Sequence, residues 1–184
     1  MGYQKIYKML HKTLLQFPGA KLVGITARTN NKNESNLDTA KILPCVEKYF
    51  QDQVAQTIPG RKTPNRTICA FTDYASDYMD DYTFFIGEKV GEFGNLPAGL
   101  KSLIIPAQTY AKFTTESGPM PAVVINAWQE IWQMSDAKLG GQRSYQTDFE
   151  VYDERALNRQ NTILDIYVGV ESLNETTRKT MRSP

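Results

Sequence analysis

The sequence predicts an α+β protein built from two strand–helix–strand–strand units in tandem. Three observations carry that prediction. A pattern of elements recurs at a nearly constant offset. Each recurrence sets one helically spaced segment among runs rich in β-branched and aromatic residues. Pro-Gly and Gly-Pro pairs end the elements.

In chain order, Tyr3, Ile6, Tyr7, Leu10, Leu14 and Phe17 fall at steps of three and four. That spacing predicts a helical extension over 1–17, a short docking helix or else an edge element, ended by Pro18-Gly19. Residues 21–28 (KLVGITAR) read as a strand and 30–36 as a polar loop. A helix is predicted over 37–54, with Ile42, Leu43, Val46, Tyr49, Phe50 and Val54 on one side. After the Pro59-Gly60 and Pro64 loop, residues 67–74 (TICAFTDY) and 82–90 (YTFFIGEKV) read as strands around the acidic turn Asp77–Asp81.

Residues 102–115 then form a strand bent at Pro106. A helix follows over 121–134, with Val124, Ala127, Trp128, Ile131 and Trp132 at apolar spacing. The runs 148–153 (DFEVYD) and 162–170 (TILDIYVGV) read as strands around a polar turn. The first strands of the two units, at 21 and 102, are offset by 81 residues, and Ile86-Gly87 and Val168-Gly169 by 82. The units run over about 20–92 and 100–172, joined near Gly91–Gly99, with a polar tail at 173–184. They are expected to share an antiparallel sheet, with both helices on one face and a concave ligand groove on the other.

Strand alternation assigns residues to those faces. Phe149 and Val151 point one way, and Asp148, Glu150 and Tyr152 the other. Leu164, Ile166, Val168 and Val170 oppose Asp165, Tyr167 and Gly169. The apolar sets suit the helix-covered face and the acidic, phenolic sets a groove.

Composition excludes several classes. Of 184 residues, 21 are Lys or Arg and 20 Asp or Glu, a net charge of +1. That leaves no cationic excess to displace counterions from nucleic acid. Cys45 and Cys69 give neither a disulfide framework nor zinc spacing, and His11 is the one histidine, so no metal is expected. The acidic cluster Asp73, Asp77, Asp80 and Asp81 lacks calcium-loop spacing. Gly87, Gly91, Gly94 and Gly99 make no phosphate fingerprint, and no cofactor is expected. No signal peptide or membrane span is legible, so the expected location is the cytoplasm.

Glu150 is the main candidate for chemistry. A carboxylate between Phe149 and Val151, near Tyr152, is unusual in a strand. In an aromatic groove its pKa should rise, suiting it to an organic cation or to acid–base work. Tyr110, Tyr152, Trp128, Tyr74, Tyr167 and Phe84 are the candidate ligand-facing aromatics.

Residues 106–132, the DFEVYDE run at 148–154 and LDIYVGVE at 164–171 resemble the GyrI-like small-molecule-binding domain. That bacterial effector-binding domain is also fused to AraC-type transcription activators and occurs in multidrug-sensing regulators. KLVGITART and the run FTDYASDYMDDYTFFIGEKV are similar to its stand-alone members. The resemblance covers roughly residues 18–172. It implies a tandem strand–helix–strand–strand fold and a groove glutamate, here Glu150, contacting cationic lipophilic ligands. Tyr110 matches an aromatic position of the same groove. No segment reads as a DNA-binding domain, residues 1–17 being too short for one.

The expected function is a stand-alone module that senses or sequesters a lipophilic small organic molecule, neutral or cationic, without direct nucleic-acid or membrane binding. One alternative is a hydrolase of electrophilic compounds, with Glu150 as general base and Tyr110 as proton donor. The other is a gyrase-inhibitor-like module whose partner is a protein, gyrase or a regulator.

Overall fold

Short β-branched and aromatic runs become strands here because each finds an antiparallel neighbour with a matching buried face. A computed structural model describes residues 10–171. In chain order the elements are β1 (His11–Phe17), β2 (Ala20–Thr29), α1 (Asn31–Glu34), α2 (Ile42–Gln51), α3 (Val54–Thr57), β3 (Thr67–Thr72), β4 (Tyr82–Val90), β5 (Lys101–Ile105), β6 (Gln108–Thr114), α4 (Ala122–Trp132), α5 (Asp136–Leu139), β7 (Gln142–Arg143), β8 (Thr147–Tyr152) and β9 (Asp165–Glu171). The strands pair in the order β1-β6-β9-β8-β3-β4-β2-β5, with β7 on β9, and every pairing is antiparallel. The order β2-β4-β3 on one side of the β3–β8 seam is matched by β6-β9-β8 on the other.

The expected N-terminal helix is corrected by the structure. Residues 11–17 form β1, laddered to β6 from His11↔Thr114 to Phe17↔Gln108. Seven residues of ladder, with Phe17 packed on Tyr110 and Phe149, outweigh an apolar spacing that fits a helix. Residues 1–9 of that expectation lie outside the described residues, as does the polar tail.

β1 and β2 lie toward opposite ends of the pairing order, yet only Pro18 and Gly19 separate them in the chain. Only Pro106 and Ala107 separate β5 from β6, which are likewise far apart in the order. The sheet therefore curls until its two ends approach. Gly19 sits at the corner with φ +85°, where a Cβ would stand 3.0 Å from the carbonyl oxygen of Ile105. Inside the curl lie Leu22, Phe85, Ile105, Tyr110 and Phe149, all essentially without solvent contact, with Phe17 against them.

That packing overturns the expected placement of the groove. The face opposite the helices is filled by the sheet's own side chains. Phe149 pairs with Tyr167 and stacks on it at 4.4 Å between ring centres, on this inner face. Glu150 pairs with Ile166 on the outer, helix-bearing face. There α2 seats Cys45 and Tyr49 on Val23, Ile25, Phe84 and Ile86. α4 seats Ala127, Trp128 and Ile131 on Ala111, Phe113, Ile166 and Val168. The two helices flank the β3–β8 seam, and the space between them is open.

Candidate functional site

A cleft of about 1690 Å³ lies between the helices, with β3, β4 and β8 as its floor and the loops at 61–67 and 153–162 along its sides. Alternation on three neighbouring strands builds that floor. Cys69 and Phe71 of β3, Tyr82, Phe84 and Ile86 of β4, and Glu150 and Tyr152 of β8 all turn toward it. Phe71 is the aromatic hub: its ring lies 5.3 Å from Trp128 and 5.7 Å from both Tyr82 and Phe84. Trp132 extends the wall, stacked on Tyr78 at 5.2 Å.

Glu150 is 4% exposed. Its Oε1 accepts a hydrogen bond from the Trp128 indole at 2.6 Å, and its Oε2 accepts one from the Tyr152 hydroxyl at 2.6 Å. Among the described residues no Lys or Arg forms an ion pair with it. Burial pushes its pKa up, and the two donated hydrogen bonds pull it partly back by favouring the ionised form. The Tyr152 hydroxyl is raised well above the usual phenol range by burial and by the adjacent carboxylate, so it stays a donor.

Two further acids differ from Glu150 in having a cation at hand. Asp148 is bonded to Arg143 at 2.5 Å, to the Tyr74 hydroxyl at 2.9 Å and to the backbone N–H of Gly169 at 2.9 Å. Glu88, toward the α2 end of the cleft, faces Arg61 at 3.3 Å. Among the described residues, Glu150 is thus the buried carboxylate of the cleft whose donors are all neutral.

The structure places five of the seven expected site residues on the cleft: Glu150, Tyr152, Trp128, Tyr74 and Phe84. Tyr110 and Tyr167 are elsewhere. Tyr110 is fully buried in the inner core and donates to the carbonyl oxygen of Pro106 at 3.3 Å. Tyr167 stacks on Phe149 on that same face, with the Lys112 ammonium 5.8 Å from its ring centre. The pairing of Glu150 with Tyr110 as base and acid is therefore not assembled, because the two side chains leave the sheet on opposite faces. Phe71, Tyr49 and Tyr78 join the cleft without having been singled out. Phe71 could have been found by pairing β3 with β8, since Cys69↔Glu150 puts Cys69 and Phe71 on the carboxylate's face.

Among the described residues, no group of three or more His, Cys, Asp or Glu side chains could hold a metal ion. None of the described helices is long and apolar enough to cross a membrane.

Comparison with known proteins bears on the same region. The profile of the Cass2 family, integron-associated effector binding protein, matches residues 13–170. YobU of Bacillus subtilis (strain 168) is 26% identical over 151 residues, covering 82% of this chain and 92% of its own. An integron cassette protein from the mobile metagenome of Vibrio cholerae superposes with a TM-score of 0.70 at 25% identity, covering 87% of this chain and 95% of its own. SAV2435, solved bound to tetraphenylphosphonium, superposes with a TM-score of 0.71 at 15% identity, covering 92% of this chain and 99% of its own. At that identity the likeness is one of fold.

Proposed function

This chain belongs to the Cass2 family of integron-associated effector-binding proteins, of GyrI-like type, and from that premise we propose that it captures a lipophilic organic cation in the cleft between α2 and α4, with Glu150 as counter-ion. The observation that carries this reading is a buried carboxylate that two neutral groups orient and that no cation among the described residues neutralises. A buried charge without a partner is costly, and a permanent organic cation removes that cost on binding. The surrounding rings of Phe71, Trp128, Tyr82 and Tyr152 offer faces that attract cations and apolar area that rewards a greasy one. SAV2435, with the same fold, takes a ligand of this kind. The role that follows is sensing or sequestration. YobU, whose name makes it a candidate transcriptional regulator, is consistent with sensing.

The test is calorimetric titration with tetraphenylphosphonium and with its anionic isostere tetraphenylborate, on the wild type and Glu150→Gln. The cation should bind the wild type and the borate should not. A charge-assisted contact predicts roughly ten- to a hundredfold weaker cation binding by the variant. Equal affinity of both proteins for the cation would overturn the assignment.

A further inference from the structure

The α2 end of the cleft holds polar groups that the capture of a simple lipophilic cation does not use. Tyr49 is 2% exposed, lines the cleft, and its hydroxyl has no hydrogen-bond partner among the described residues. The Thr63 hydroxyl, on the facing loop, is also buried without a partner among the described residues. Beside them Glu88 and Arg61 form a pair with long contacts, 3.3 and 3.5 Å from one guanidinium nitrogen. The chain brings these groups together: Arg61 bridges Val90, and the N–H of Lys62 donates to Lys89 O, so the loop runs antiparallel to β4 with Thr63 abreast of Glu88. Buried donors and acceptors are nearly always satisfied, so an unpartnered pair on a cleft wall marks a place where something else supplies the partner.

We propose that Tyr49, Thr63, Glu88 and Arg61 form a second, polar subsite that takes a neutral hydrogen-bonding group, a hydroxyl or amide, of the same ligand whose cationic centre sits on Glu150. The charges select that chemistry. Arg61 already neutralises Glu88, which leaves no net charge to attract a second cation. The same pairing leaves no net positive charge to hold an anion. A hydroxyl or amide, by contrast, accepts from Tyr49 and donates to Thr63 or Glu88. The sheet sets the distance. Continuing the printed registers, Glu88 aligns with Thr67 and Glu150 with Cys69, with β3 between the two strands. Two interstrand spacings across and two residues along give about 12 Å between the Cα positions. The ligand class is therefore an elongated lipophilic cation with a polar tail group, a narrower class than the bulky symmetric cations of the reading on which this inference rests.

The experiment compares octyltriphenylphosphonium with its ω-hydroxy derivative on the wild type, Tyr49→Phe, Thr63→Val and Glu150→Gln. The readout is the ratio of the two dissociation constants in each protein. The wild type should favour the hydroxy probe by roughly threefold to tenfold, the range of one or two net hydrogen bonds. That preference should collapse toward unity in Tyr49→Phe and shrink in Thr63→Val. No preference in the wild type, with both probes still weakened by Glu150→Gln, overturns the subsite and leaves the cation site standing. A Tyr49-dependent preference with no effect of Glu150→Gln supports the subsite and overturns the cation site. Failure of both probes to bind overturns both.

Discussion

Cys69 and Glu150 stand directly opposite each other across the β3–β8 seam. The thiol and the carboxylate share the cleft floor, one from each half of the chain, so a ligand seated on Glu150 also covers Cys69. Burial raises the thiol pKa well above its ordinary value, and the negative charge of Glu150 adds to that. Cys69 should therefore alkylate slowly in a Cys45→Ala background. Glu150→Gln should move the pH–rate profile of alkylation to lower pH, and tetraphenylphosphonium should protect the thiol. A profile unmoved by Glu150→Gln would mean the two groups do not sense each other.

The raised pKa of Glu150 gives two pH dependences of opposite sign. Cation binding needs the ionised form, so affinity should climb as pH rises through the folded-state value and then level off. Stability of the free protein runs the other way. A carboxyl whose folded pKa lies above its unfolded value contributes stability that is fully present below the unfolded value and is lost as pH rises through the folded one. Titrations of binding and of Tm against pH should both show this component in the wild type and both lose it in Glu150→Gln. A pH-independent affinity across the acid range would contradict the counter-ion role.

Trp128→Phe isolates the indole N–H from the ring. Phe keeps an aromatic face against Phe71 but removes the donor to Glu150. Because that donor favours the ionised carboxylate, its loss should shift the affinity–pH curve upward and weaken binding near neutrality severalfold, within the worth of a charge-assisted hydrogen bond. The same variant should lose part of any ligand-induced quenching of tryptophan fluorescence, leaving the share from Trp132. An unchanged curve would show that the indole serves only as wall.

Tyr110→Phe tests the placement of the site on the helix-bearing face. The substitution removes one long hydrogen bond to Pro106 and should cost at most about 1 kcal/mol of stability. Affinity for tetraphenylphosphonium should not change, because Tyr110 lies beneath the sheet from the cleft. Tyr152→Phe, which strips a donor from Glu150, should weaken binding. If the ranking were reversed, the ligand would sit inside the curl.

Much of the architecture was legible because local pattern and final environment agree. The runs that became β2, β3, β4, β8 and β9, and the helix α4, carry periodicities that match the faces they bury, whereas on α2 only Tyr49 of the apolar side read from spacing is buried within the helix and Leu43 and Phe50 stay more than half exposed along the cleft. Glu150 and Tyr152 were legible together because they alternate onto one face of one strand, but Tyr110, read beside them, lies on the other face. Three features were not legible, and all depend on distant partners. Residues 102–115, read as one strand bent at Pro106, are two strands, β5 laddered to β2 and β6 laddered to β1 and β9. His11–Phe17 is a strand because β6 offers it a ladder, and nothing local says so. Alternation separates Glu150 from Phe149 but is silent on which set meets the helices. That choice was made by the curl, whose tight interior takes the rings of Phe149 and Tyr110 and leaves the carboxylate outside.

The crossed outer strands have a consequence for how the chain can come apart. β1 precedes β2 in sequence but completes the edge beside β6, about a hundred residues away, while β5 precedes β6 and completes the edge beside β2. Each half thus wears the other's hem. A polypeptide cut between Gly91 and Gly99 would yield two fragments, each with its own three central strands, two bare flanks (one of them the β3–β8 seam), and a strand that fits only the other piece. Such fragments should be poorly ordered alone and should restore one another on mixing. In the intact chain the dependence should make unfolding a single transition, and its reliance on remote pairings should make folding slow for the chain's size. The cleft, floored from both halves, exists only once that closure is complete.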